Sequence, residues 1–138
     1  MSYGENPGKV LTIQTDLTYD KDENFGHASA GKDLVLEMIR TGGNAGKAQI
    51  GTDGGQILGK FLSLDENKVA SYMINATPMV LRKSAATIVP GRGLLCAANG
   101  QVKSAPATET AASASLERGI ALEVLETAAD GRILAYIP

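Results

Sequence analysis

Leu94-Leu95-Cys96-Ala97-Ala98-Asn99-Gly100-Gln101-Val102-Lys103-Ser104 is the stretch on which the reading of the fold turns. A tight hairpin turn asks both of its central residues for positive φ, which Asn tolerates and Gly adopts freely. Asn99-Gly100 between two short runs therefore predicts antiparallel strands joined at that point. Just before it, Pro90-Gly91-Arg92-Gly93 turns the chain into Leu94. Beyond it, the runs Ile120 to Leu125 and Arg132 to Ile137, with a turn at Asp130-Gly131, repeat the pattern. The two-residue period of a strand places Ile120, Leu122 and Val124 on one face, and likewise Ile133, Ala135 and Ile137.

The same grammar runs upstream. Leu34 to Ile39 ends at the glycine-rich turn Thr41-Gly42-Gly43-Asn44-Ala45-Gly46. Ile57 to Leu64 and Val69 to Ile74 flank Asp65-Glu66-Asn67-Lys68, a four-residue hairpin loop. Met79 to Arg82 and Ala86 to Val89 read as further short strands. The alanines of the Ala/Ser/Thr-rich segment Ala105 to Ser115 permit a helical turn, with Gly119 as its stop, but the segment lacks an apolar stripe to hold a helix down and reads first as a surface loop. Brief strands separated by turns predict a mainly β domain over residues 32–138, with no repeat of solenoid length.

Residues 1–31 differ in character. They hold one strand-forming piece, Val10-Leu11-Thr12-Ile13, between polar runs, and read as an extended N-terminal arm that orders against a partner, with a disordered terminus as the alternative. Such an arm is suited to adding a strand to an exposed sheet edge of a partner, and Val10, Leu11, Thr12 and Ile13 are the expected partner-binding residues.

Composition narrows the function. The chain has 138 residues, 13 Lys and Arg against 15 Asp and Glu, and a net charge of -2. That balance lacks the positive field that phosphate backbones attract, so nucleic acid is not an expected partner. No run is apolar enough to span a membrane, and Met1 to Asn6 lacks the basic and apolar regions of a signal peptide, so a soluble, non-exported protein is expected. One Cys and one His leave no disulfide framework and no Cys/His zinc set, consistent with a reducing cytosol.

Motifs that would carry chemistry each fail at a defining residue. Thr41 to Ala48 imitates a phosphate-binding loop, but Thr41 stands where the first glycine is required and Ala48 where a magnesium-binding hydroxyl is required. Asp20, Asp22 and Asn24 have calcium-loop spacing, yet Phe25 replaces the turn glycine and Gly31 the bidentate glutamate. Cys96 has only His27 as an imidazole partner and lies among Leu94, Leu95, Ala97 and Ala98, which reads as a buried strand thiol. Asp65-Glu66 sits in a turn where nothing desolvates it. No catalytic, cofactor-binding or metal-binding residue is assigned, and an enzyme is not expected.

The order Val89-Pro90-Gly91-Arg92-Gly93-Leu94-Leu95, Ala98-Asn99-Gly100-Gln101-Val102-Lys103, a variable Ala/Thr/Ser loop, Gly119-Ile120-Ala121-Leu122-Glu123 and Asp130-Gly131-Arg132-Ile133-Leu134-Ala135-Tyr136 resembles the capsid decoration, or head cement, proteins of tailed bacteriophages. The likeness covers a little over a third of the chain, and the N-terminal half departs from the shortest members of that family. The resemblance implies a small β-barrel or β-tulip-like domain of short antiparallel strands. It implies assembly as a homotrimer on the outer surface of an icosahedral head, with the major capsid protein as partner, after synthesis in the host bacterial cytoplasm. Two other readings stay open from the residues: a tail, fibre or baseplate component, and a ligand- or carbohydrate-binding β-module. Against the last, the chain has no Trp and four Tyr with which to stack sugars.

Overall fold

The computed structural model describes residues 6–27, 32–108 and 111–138. Among these residues the chain forms β1 (Asn6–Gln14), β2 (Val35–Met38), β3 (Ala48–Ile50), β4 (Gly59–Leu64), β5 (Val69–Thr77), β6 (Met79–Arg82), β7 (Leu94–Cys96), β8 (Val102–Ser104), α1 (Ala111–Leu116), β9 (Ile120–Val124) and β10 (Arg132–Tyr136). The strands make three antiparallel sheets, ordered β1-β5-β4-β2-β3, β6-β10-β9 and β7-β8. The protein is therefore mainly β, as its turn residues predict, but the sheets do not close into a barrel, one of the two forms that the resemblance implied.

The five-stranded sheet comes nearest to closure. Thr15, just past β1, bridges Ala48 of β3 at the opposite edge, and the Asp16 N–H donates to the Ala48 carbonyl at 3.2 Å. Thr15 is 1 % exposed. Its N–H and its hydroxyl both donate to the Lys68 carbonyl, at 2.9 and 2.8 Å, and its oxygen accepts the Leu17 N–H at 3.1 Å. Inside the curl lies one apolar cluster, built on Leu17, Leu36, Phe61, Leu64 and Tyr72. A second cluster, built on Val35, Ile57, Leu81, Leu94, Ile133 and Ile137, fills the space shared with the two smaller sheets.

β2 explains how one chain feeds both clusters. Val35 belongs to one and Leu36 to the other, and both are fully buried. Successive side chains of a strand point to opposite faces, so a continuous apolar run such as Leu34-Val35-Leu36 is what a strand covered on both faces requires.

The predicted hairpins are present. Asn99 and Gly100 take φ of 58° and 76°, the Gln101 N–H donates to the Ala98 carbonyl at 3.2 Å, and Cys96 stands opposite Val102. β4 and β5 pair across the Asp65 to Lys68 loop, where the Asp65 carboxylate accepts the Asn67 and Val69 N–H groups, each at 2.9 Å. β9 and β10 form the last hairpin.

Four expectations are corrected or refined. A register shift between Leu134 and Ala135 turns Ala121, not Ile120, into the core opposite Ala135, and leaves Ile120 exposed, because a bulge reverses the alternation that a regular strand would keep. Ala86 to Val89 forms no strand: Ile88 alone is buried, and the Val89 N–H goes to the Ser104 hydroxyl at 2.9 Å. Within the expected 105–115 loop, Ala111–Leu116 is helical, in line with the high helix propensity of alanine. The segment read as an arm is laid from Asn6 to Gln14 along β5 of its own chain, and Leu17 reaches the core. Residues 1–5 and 28–31 of that segment, and 109–110 of the loop, lie outside the described residues.

Replacing Thr15 by Val keeps the shape and removes the hydroxyl that bonds Lys68 and Leu17 beside the seam. Because a buried N–H and a carbonyl each lose a partner, Thr15→Val is expected to cost about 1–3 kcal/mol, read as a lower urea midpoint.

Candidate functional site

The four residues expected to bind a partner sit in the middle of β1, where Val10, Leu11, Thr12 and Ile13 stand opposite Met73, Tyr72, Ser71 and Ala70 of β5. Leu11 and Ile13 pack on the cluster inside the curled sheet, whereas Val10 is 56 % exposed and Thr12 is exposed. The structure thus divides the quartet into two inward anchors and two outward residues.

Backbone polarity follows from the register. In an antiparallel pair, residues alternate between exchanging hydrogen bonds with the partner and pointing their N–H and C=O the other way. Thr15 donates to Lys68, so Ile13, Leu11 and Lys9 also face β5, while Val10 and Thr12 turn their main-chain groups outward. β1 is an edge strand, and that outer side is an edge to which another strand can be added. Pro7 and Lys9 near its start are residue types that discourage indiscriminate edge pairing.

Three polar centres that sequence reasoning missed hold the frame behind this edge. Asp33 lies just before β2 with a φ of 68°. Its two carboxylate oxygens meet Lys60 of β4 at 2.9 Å and Arg132 of β10 at 2.7 Å, and its carbonyl accepts the Arg82 N–H at 2.9 Å. One residue therefore ties the five-stranded sheet to the three-stranded one. Burial by itself would raise the Asp33 carboxyl, but the hydrogen bonds and charges of Lys60 and Arg132 outweigh it and hold the group below its ordinary value of 3.8.

Lys83 is the second centre, at 1 % exposure. Its ammonium donates to the carbonyls of Ser84, Thr127 and Ala128, at 2.7, 2.9 and 3.3 Å, placing all three of its protons and using two of them to pin the turn between β9 and β10. It forms one wall of a groove of about 540 Å³ whose apolar lining includes Ile88, Pro90, Leu122 and Val124. The third centre is Glu37, buried in β2, which accepts from Gln49 and the Thr52 N–H, each at 3.0 Å, and from the Thr52 hydroxyl. A β-carbon at Gly55 would sit 1.7 Å from the Glu37 Oε2, so a larger residue there would displace the carboxylate from this position.

A sequence signal existed for Lys83 alone. It continues the inward alternation of Met79 and Leu81, so its position on the buried face was readable even though its three carbonyl partners were not. For Asp33 and Glu37 the partners are far away along the chain, and no local pattern marks them.

Cys96 is fully buried in the second cluster, and burial, with the negative charge of Glu37 adding to it, pushes its thiol up to about 12. Among the described residues no three His, Cys, Asp or Glu side chains group so as to hold a metal ion, and no helix is long and apolar enough to cross a membrane. No protein-family model matches the chain, and no curated protein matches it in sequence.

Two outcomes follow from these centres. Asp33→Asn keeps a residue that tolerates positive φ while deleting the charge. At neutral pH it is expected to cost about 2 kcal/mol. Because the folded-state group titrates below 3.8, its stabilisation is complete above that value and fades as pH falls through the folded-state value, so the wild-type and variant stability curves should converge in acid denaturation series. Cys96 should stay unmodified by a thiol-specific chromogenic disulfide at pH 8 in native protein, and react fully once denaturant exposes it.

Proposed function

We propose that this protein is a structural component of a tailed-phage virion: a decoration, or cement, protein that binds the outer surface of an assembled icosahedral head and bridges neighbouring major capsid protein subunits. The observation that carries the reading is the outer edge of β1, where Val10 and Thr12 direct main-chain groups and exposed side chains away from their own sheet. A partner strand docked there gains main-chain hydrogen bonds along a line already fixed by β5. The segments that carry the likeness to the cement family also support the reading, because they become the β7–β8 and β9–β10 hairpins over one shared core. In this reading the domain is a variant of the β-tulip-like scaffold and acts as a homotrimer.

The mechanism is thermodynamic linkage. A ligand that binds only the assembled lattice adds its binding free energy to the stability of that lattice. Joining three protomers makes the later contacts intramolecular, worth about 10²–10⁴ in apparent affinity, so each contact can be weak. The mildly acidic surface keeps the protein from competing for packaged DNA.

Proline at position 12 tests the edge. The Thr12 N–H points away from β5, so Thr12→Pro spares the intramolecular ladder while removing an outward donor, as an edge strand tolerates. Expected on heads that lack the protein is an occupancy midpoint raised about tenfold, with a melting temperature within a few degrees of wild type. Undiminished occupancy would remove the β1 edge from the mechanism. Wild-type protein that neither binds heads nor protects them from heat and osmotic shock would overturn the proposal as a whole.

A further inference from the structure

The chain is poor in aromatic residues, at 4 %, and spends two of them on one exposed loop. Among the described residues Phe61 and Tyr72 are in the core and Tyr136 is half-buried, whereas Tyr19 and Phe25 are 36 % and 43 % exposed. Both lie in the loop that leaves the seam at Thr15 and returns at His27.

That loop is held from several sides. Tyr19 and His27 form an antiparallel bridge at its neck. The Asp20 N–H donates to Gly26, Glu23 to Asp20 and Gly26 to Glu23, at 2.9, 3.2 and 3.1 Å. The His27 ring stands edge-on to Phe61 with centroids 6.3 Å apart. Gly26 lies so close to β4 that a β-carbon would be 2.0 Å from the Leu64 carbonyl oxygen.

In this frame Phe25 takes φ 65° and ψ 7°, a left-handed conformation that a bulky side chain rarely adopts. Backbone of that kind persists only where the surroundings impose it, and it is concentrated at functional positions. The ring does not repay the cost by packing tightly at home, because a cavity of about 170 Å³ opens beside it, lined also by Lys32, Asp33, Lys60, Phe61 and Leu62. Around it the loop carries Asp16, Asp20, Asp22 and Glu23 against Lys21 alone, and Asp22 and Glu23 are exposed.

We infer that the Tyr19 to Phe25 loop is a second docking element: a preformed aromatic knob that inserts into an apolar pocket rimmed by Lys or Arg on the shell protein. This rests on the head-binding reading and adds a contact separate from the β1 edge. A rigid aromatic anchor loses little conformational entropy on binding, and such anchors carry a disproportionate share of interface energy. The acidic outer side of the loop, at Asp22 and Glu23, supplies charge complementarity to a basic rim, while Lys32 and Lys60 lie on the cavity side of the ring.

The test uses the full chain titrated onto heads that lack it, with occupancy read by gel densitometry. Phe25→Gly and Phe25→Asn both suit the left-handed backbone, so neither should lower the melting temperature by more than a few degrees, while each should weaken head binding about tenfold or more. The pair Asp22→Lys and Glu23→Lys should also weaken binding and flatten its dependence on salt. Wild-type binding with an unchanged midpoint for both Phe25 variants overturns the knob and leaves head binding standing. Loss of self-association in these variants, with head binding unchanged, overturns it equally. Failure of the wild type itself to bind heads is the separate result that removes the reading beneath it.

Discussion

The bridge between Thr15 and Ala48 is the contact on which the architecture depends. A five-stranded sheet has two open edges and an inner face to bury, and this chain addresses both by curling until the residue after β1 reaches β3. The curl creates an interior for Phe61, Tyr72 and their aliphatic neighbours. Thr15 suits the position because its hydroxyl donates across to the Lys68 carbonyl and accepts from its own near neighbour, leaving the Leu17 N–H paired at the point where the ladder stops. Closure halts at a single bridge, so the outer side of β1 beyond the seam keeps its main-chain groups turned outward.

Around this seam, polar groups do the joining that a core short of aromatics cannot do by area alone. Asp33 spans two sheets through Lys60 and Arg132, Glu37 holds the Thr52 to Gly55 turn against β2, and Lys83 pins the last hairpin turn through the carbonyls of Thr127 and Ala128. Each is a buried or nearly buried charge whose desolvation is tolerable only because its partners are fixed. The expected behaviour is a frame whose interior is rigid while its edges remain available. The proposed role as a lattice clamp would draw on that combination, since an ordered docking surface loses little entropy on binding.

The sequence and the structure agree where the governing physics is local. Asn99-Gly100, Asp65 to Lys68 and Asp130-Gly131 are turns because of their own backbone preferences, and the strands beside them follow. They part at β9, where the alternation of Ile120, Leu122 and Val124 was legible but the bulge that turns Ala121 inward was not, being set by the register with β10. The β1 quartet shows the same division. Val10 to Ile13 was recognisable as a strand, yet which of its residues face a partner depends on pairing with Met73 to Ala70, some sixty residues away in the chain.

From residues alone came the mainly β class, the hairpin positions, the strand at Val10 to Ile13 and the weak negative charge, all of them consequences of φ preference, two-residue periodicity and composition. Only tertiary structure decided that β1 lies on its own β5, that the sheet stops short of a barrel at Thr15, and that Asp33, Glu37 and Lys83 are interior joints. The reason is range. A turn is determined by two or three neighbouring residues, whereas an edge, a seam or a buried ion pair comes into being only when segments distant along the chain are brought to within hydrogen-bonding distance.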